Sequence, residues 1–201
     1  MSTVDLARRP GETRGRYRLL GVPGSLRAGA FSTAVLEAIA AAATGAEFTF
    51  ADIGELPHFN QDLYVEPLPA TVERFRGQVA ACDGLVICSP EYNHGIPGVL
   101  KNALDWASRP HNGSPLKGKP VLIVTSSPAF TGGVRAQYQI RETVVSALAR
   151  PVATPEIVIG NVAGKILDGR FDDPDGIAFA LAGLETMLAE IGQALAARGP
   201  R

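Results

Sequence analysis

Arg27 stands between two hydroxyl residues, Ser25 and Ser32, in the stretch Gly24-Ser25-Leu26-Arg27-Ala28-Gly29-Ala30-Phe31-Ser32. A guanidinium fork beside hydroxyls and glycines is a donor set suited to a phosphate. Where such a stretch opens a helix, the first backbone N–H groups add to that set. The fingerprint G-x-G-x-x-G of dinucleotide sites is missing, and so is the G-K-[S/T] of triphosphate loops. A single terminal phosphate is therefore the expected ligand. The plainer alternative is a polar turn in which Ser32 only caps a helix.

A second stretch, Ser89-Pro90-Glu91-Tyr92-Asn93-His94-Gly95-Ile96-Pro97-Gly98, packs two prolines, two glycines and several polar side chains into ten residues. Such a loop is stiff and offers backbone donors and acceptors to the edge of a flat ring. Pro97 suits the start of a helix, where its missing N–H costs nothing. The alternative is an ordinary connection, but Tyr92 and His94 have no apolar period to bury them. His94 can serve as a proton donor near neutral pH or simply shape the pocket. No nucleophile motif accompanies it, so no catalytic side chain is assigned.

A third stretch, Thr125-Ser126-Ser127-Pro128-Ala129-Phe130-Thr131-Gly132-Gly133, ends in paired glycines. These allow close backbone approach or positive φ, and Ser126 and Ser127 offer hydroxyls to ring carbonyls. Again the alternative is a plain glycine-rich turn. Cys82 and Cys88 read as structural, since a free cysteine in an apolar run behaves as a small hydrophobe. His58, His94 and His111 have no metal-ligand spacing, so no metal is expected. The acidic stretch from Asp168 to Asp175 lacks the ligand period of a calcium loop and reads as solvated.

These loops need elements to position them. Apolar runs of strand length occur at Tyr17–Val22, Glu47–Asp52, Gly84–Ser89, Pro120–Ser126 and Glu156–Gly160. Helical patterns fall between them, at Phe31–Ala43, Ala70–Ala81, Pro97–Trp106 and Val134–Leu148, with a last one from about Ile177 to Arg198. Runs that are apolar on both faces predict parallel strands covered on both sides by helices. The alternation predicts an α/β fold with a doubly wound five-stranded parallel sheet. In such sheets ligands bind outside the carboxyl ends of the strands, where strand order reverses. The three unusual stretches follow strands one, three and four.

The chain has 201 residues, 46% hydrophobic and 19% charged, with a formal net charge of −1. That composition suits one folded domain. The near-neutral balance argues against nucleic-acid binding. Residues 1–16 are polar and are expected to be a disordered tail without a secretory signal, leaving 17–201 as a single domain. No run is expected to span a membrane. Two cysteines six apart suggest a reducing compartment, and a cytoplasmic location is the default.

Taken together, the stretches G-S-L-R-A-G-A-F-S, S-P-E-Y-N-H-G-I-P-G-V-L-K-N-A-L-D-W and T-S-S-P-A-F-T-G-G-V-R-A-Q resemble the NADPH-dependent FMN reductase family, within it the chromate and quinone reductase branch. The resemblance runs from about Tyr17 to at least Gly160, and the second stretch is the most specific. It implies a flavodoxin-like fold with strand order 2-1-3-4-5. It implies FMN as cofactor, NADPH or NADH as co-substrate and a small-molecule electron acceptor such as a quinone, an azo or nitro compound, a metal oxyanion or free flavin. Ser25, Leu26, Arg27, Ala30, Phe31 and Ser32 would then bind the FMN phosphate. Pro90, Glu91, Tyr92, Asn93 and His94 would line the ribityl chain and ring, and Ser127, Gly132 and Gly133 would close the other side. Three positions depart from the pattern. Family members often have Ser at Ala30 and Asn at Ser32, and a tyrosine is common at His94. A homodimer or homotetramer is implied, with Arg135, Tyr138 and Glu156 as candidate contacts. Two other readings stay open at this point: a flavodoxin-like electron carrier, disfavoured by the weak net charge, and a non-enzymatic ligand-binding domain on the same fold.

Overall fold

Three apolar runs form the centre of a parallel sheet because their side chains alternate between two separate cores. The computed structural model describes residues 17–197; the expected tail, 1–16, lies outside the described residues. The central strands are β1 (Tyr17–Pro23), β3 (Gly84–Pro90) and β4 (Pro120–Ser126), and β2 (Ala46–Phe50) lies at the edge. Leu20, Leu85, Ile87 and Ile123 point into one core, and Leu19, Val86, Leu122 and Val124 into the other. This period of two is what a strand imposes.

Helices α2 (Ala70–Ala81), α3 (Gly98–Ala107) and α4 (Val134–Ser146) cover the first core, through residues such as Phe75, Trp106 and Ile140. Helices α1 (Phe31–Ala42) and α5 (Pro174–Ala197) cover the second, through Leu36, Ile39, Leu184, Met187 and Ile191. The strand order is β2-β1-β3-β4 followed by the fifth position, all parallel. This is the flavodoxin-like order 2-1-3-4-5. Strand order reverses between β1 and β3, which places a crevice beyond their carboxyl ends.

The fifth position differs from the single strand expected over Glu156–Gly160. It is built from two pieces on the edge of β4. The first, β5 (Arg150–Pro151), pairs with Pro120 and Val121. The second, β6 (Ile157–Ile159), pairs with Val124 to Ser126. Pro155 lies between the pieces, and a residue without an N–H cannot donate to the ladder there. Gln137 on α4 is fully buried and donates to the carbonyls of Ile123 and Ile157, tying α4 to both strands.

Two expectations for the C-terminal third are corrected. The acidic stretch is not a plain solvated loop. Asp168 (φ 48°) and Gly169 (φ 77°) turn a small hairpin of β7 (Ile166–Leu167) and β8 (Arg170–Phe171). Asp173 then accepts the N–H of Gly176 at 3.2 Å and starts α5 three residues earlier than expected, with Pro174 at the first helical position. The expectation that no run is apolar enough to cross a membrane is also corrected. By length and composition α5 is one. Here its apolar stripe of Ala180, Gly183, Leu184, Met187 and Ile191 is buried against the sheet.

Candidate functional site

The carboxyl ends of β1, β3 and β4 frame a cleft of about 150 Å³. Ser25, Arg27, Ala30, Phe31 and Ser32 line it from the β1 side, Pro90, Glu91 and Tyr92 from β3, and Ser126 and Pro128 from β4. Eight of the expected site residues are therefore brought together. Leu26, Asn93, His94, Ser127, Gly132 and Gly133 are not on its lining.

The β1 side gathers donors of the kind an anion would need. Helix α1 starts after Ala30 with no side-chain cap. The N–H groups of Phe31 and Ser32 have no acceptor among the described residues. Ser32 is 1% exposed, and its Oγ has no hydrogen-bond partner among the described residues. A buried hydroxyl left in this state costs about 1–3 kcal/mol unless something else meets it. The Arg27 guanidinium lies 4.8 Å from the centre of the Phe31 ring, held at the helix start by a cation–π contact. Ser32 therefore does not cap its own helix, which removes the plainer alternative for this loop.

Ser25 and Tyr92 join the two sides. Their hydroxyls are 3.0 Å apart, and Ser25 Oγ also accepts the Arg27 N–H. Glu91 lines the cleft as expected and has a second task. Its Oε2 accepts the N–H groups of Arg135 and Ala136, at 2.9 and 3.1 Å, at the start of α4. Helix α4 has no acidic residue in its own first turn, and Gly133 before it has no side chain to cap with. Glu91 supplies from β3 the negative end that the helix dipole favours.

On the β4 side the hydroxyls of Ser126 and Ser127 separate. Ser126 is 2% exposed, lines the cleft, and its Oγ has no partner. Ser127 Oγ already accepts the N–H of Ala129 at 3.1 Å. Of the two, Ser126 is the one on the cleft lining. Gly132 and Gly133 lie off the cleft lining, with φ of 62° and 86°. A Cβ on Gly132 would sit 2.9 Å from the backbone N of Gly160, so only glycine lets the β4 and β6 loops meet.

His94 is exposed, and its ring makes no hydrogen bond among the described residues. Burial pushes the thiols of Cys82 and Cys88 up, furthest at Cys88, so neither is a ready nucleophile. Two orphaned hydroxyls, two free N–H groups and one guanidinium around a single cleft fit a flavin mononucleotide. The phosphate would lie at α1 and the polar ring edge toward Ser126.

The comparisons with known proteins agree. The family model described as NADPH-dependent FMN reductase matches residues 17–164. An NAD(P)H-dependent FMN reductase of Pseudomonas aeruginosa is 42% identical over 160 residues, covering 76% of this chain and 86% of that protein. A quinone reductase of Escherichia coli is 41% identical over 154 residues, covering 75% and 81%. Among solved structures, the FerB flavoenzyme NAD(P)H:(acceptor) oxidoreductase of Paracoccus denitrificans superposes with a TM-score of 0.78 at 27% identity, over 88% of this chain and 98% of that one. With this match across the three loops that build the cleft, the chain belongs to the NADPH-dependent FMN reductase family.

Proposed function

We propose that this chain oxidises NAD(P)H at FMN held in the cleft and reduces small acceptors there, quinones foremost. The observation that carries the reading is the pair of buried, unpartnered hydroxyls, Ser32 Oγ and Ser126 Oγ, on the lining of one cleft. The relatives named FMN reductase and quinone reductase support the acceptor class. Azo and nitro compounds, metal oxyanions and free flavin extend it. Residues 17–201 act as one FMN-binding unit in this reading.

Bound FMN supplies the two-electron centre that takes hydride from the nicotinamide and gives it to the acceptor. The protein's part is to bind and orient. Ser32, Arg27 and the N–H groups of Phe31 and Ser32 hold the phosphate. The Ser25–Tyr92 pair fixes the wall between phosphate and ring. Pro90 keeps that wall stiff, and Ser126 donates to a ring carbonyl. No side-chain acid is assigned, since His94 is exposed and lies off the cleft lining. We also propose a homodimer or homotetramer in the cytoplasm. The half-exposed Tyr138 and Val145 on the outer face of α4 suit a subunit contact. The two free cysteines suit a reducing compartment.

Equilibrium titration with FMN and FAD tests the reading. FMN should bind more tightly, because one phosphate-sized donor set is present and no dinucleotide fingerprint. Arg27→Ala should lose roughly 1.5–3 kcal/mol of FMN affinity, or about 10- to 150-fold, as expected for a charged hydrogen bond. Tighter binding of FAD, or wild-type FMN affinity in the variant, would overturn the phosphate assignment.

A further inference from the structure

The loop after β3 ends in a turn whose second central residue is not the one usually preferred there. Tyr92 and Gly95 exchange both backbone hydrogen bonds at 2.9 Å, with Asn93 and His94 as the two residues between them. Asn93 has φ 50° and His94 φ 65°, so both are left-handed, as in the two-residue hairpin turn usually made by Asn-Gly. Asparagine tolerates that conformation. Histidine enters it more often than most residues but less readily than the glycine preferred there.

Gln139, in the second turn of α4, is what braces this turn. Its Oε1 accepts the N–H of Ile96 at 3.0 Å, and its Nε2 donates to the carbonyl of His94 at 3.4 Å. Gly95 lets the amide in, for a Cβ there would come 3.1 Å from Oε1. The Gln139 side chain is exposed, so core packing does not explain an amide at this position. At the other end of the same loop, Glu91 is fastened to the first turn of α4. The loop is therefore pinned to α4 at both ends. Between the pins lies Tyr92, whose hydroxyl meets Ser25 across the cleft.

We infer that Gln139 is a positioning residue for the flavin: it holds the Asn93–His94 turn, and through it Tyr92, in the geometry the cleft requires. The inference rests on the FMN reading above. Gln139 touches neither the cleft nor the reacting atoms and acts only through the loop.

The test uses the full chain with Gln139→Leu, which keeps bulk and removes both hydrogen bonds, and Gln139→Glu, which keeps the acceptor for Ile96. Amide hydrogen exchange is followed before and after adding FMN, and FMN affinity is read from flavin fluorescence quenching. In Gln139→Leu, exchange at Gly95 and Ile96 should quicken by about 5- to 10-fold, as for loss of one net hydrogen bond. FMN should bind about 3- to 10-fold more weakly, by the same reckoning, with the thermal midpoint unmoved. Gln139→Glu should recover most of the affinity. His94→Gly removes the left-handed cost, so Gln139→Leu should weaken FMN less in that background than in the wild type.

Wild-type FMN affinity in Gln139→Leu, or the same loss in both backgrounds, would overturn the positioning role. If Arg27→Ala still weakens FMN in that event, the flavin site stands without it. If neither variant changes FMN binding, the flavin reading fails and this inference falls with it.

Discussion

Ser126 and Ser127 are adjacent residues with the same side chain and opposite situations. Ser126 is the last residue of β4, and the strand alternation turns its hydroxyl into the cleft with nothing to bond. Ser127 has left the strand, and its hydroxyl closes a local turn onto the Ala129 N–H. Two results should follow. Ser126→Ala should weaken FMN by about 2- to 10-fold, as for one neutral hydrogen bond. It should leave the stability of the FMN-free protein equal or slightly higher, because an unpartnered buried hydroxyl is removed. Ser127→Ala should keep FMN affinity within about twofold, a loss well below one net hydrogen bond. Flavin titration and thermal unfolding of both variants check this, and the reverse ranking would return the contact to Ser127. The β1 side of the cleft was legible in the sequence because Ser25, Arg27 and Ser32 are close together and chemically distinctive. The choice between two neighbouring serines was not, because it depends on where a strand ends. The second task of Glu91, at the start of α4, was hidden for a related reason: that partner is 44 residues away in sequence.

At the scale of elements, the central strands were readable because a strand covered on both faces leaves an unbroken apolar run. The edges were harder. The fifth position is interrupted at Pro155, and its first piece, Arg150–Pro151, is too short and polar to stand out. The start of α5 was also hidden, because Asp173 is recognisable as a cap only with its partners in place. Its carboxylate meets Lys165 at 2.6 Å and Gly176 N–H at 3.2 Å. The hydrogen bond from Lys165 holds the Asp173 carboxyl below the usual carboxylate range. A folded-state pKa that is depressed stabilises the protein above the unfolded value, near pH 3.9, and the gain is lost as pH falls through the lowered value. Asp173→Ala should therefore cost roughly 0.5–2 kcal/mol at pH 7, the usual range for a lost cap. The difference from wild type should shrink as the pH falls below that of an ordinary carboxylate. Urea unfolding at pH 7 and at low pH measures both. A penalty that does not depend on pH would show that the charge on Asp173 contributes nothing.

For the molecule as a whole, the subunit count and the order of substrate entry are linked through the open side of the cleft. Tyr92 is 50% exposed and Pro128 is exposed at the mouth, so the cleft opens outward at the ends of β3 and β4. Closed two-fold symmetry is the commonest way for a small subunit to cover such a surface. Light scattering at micromolar concentration should give at least the dimer mass, and a monomer would refute the proposed assembly. Whatever covers the mouth, Ser32 and Ser126 turn their orphaned hydroxyls into the same cleft, and no dinucleotide fingerprint marks a separate nicotinamide site in the chain. Nicotinamide and acceptor must then use the same opening in turn, and the first product has to leave before the acceptor enters. Initial rates with NADPH and a quinone varied together should give parallel double-reciprocal lines. His94 has no hydrogen-bonded partner to tune or aim its ring, and hydride transfer asks for no protein acid. His94→Ala should therefore lose well under the roughly 10²–10⁴-fold typical of a missing general acid or base. His94→Tyr should stay active with a shifted acceptor preference. Intersecting lines would mean that donor and acceptor occupy the protein together, which one opening does not allow. A thousandfold loss in His94→Ala with FMN still bound would make His94 a proton donor and require its turn to close over the cleft during turnover.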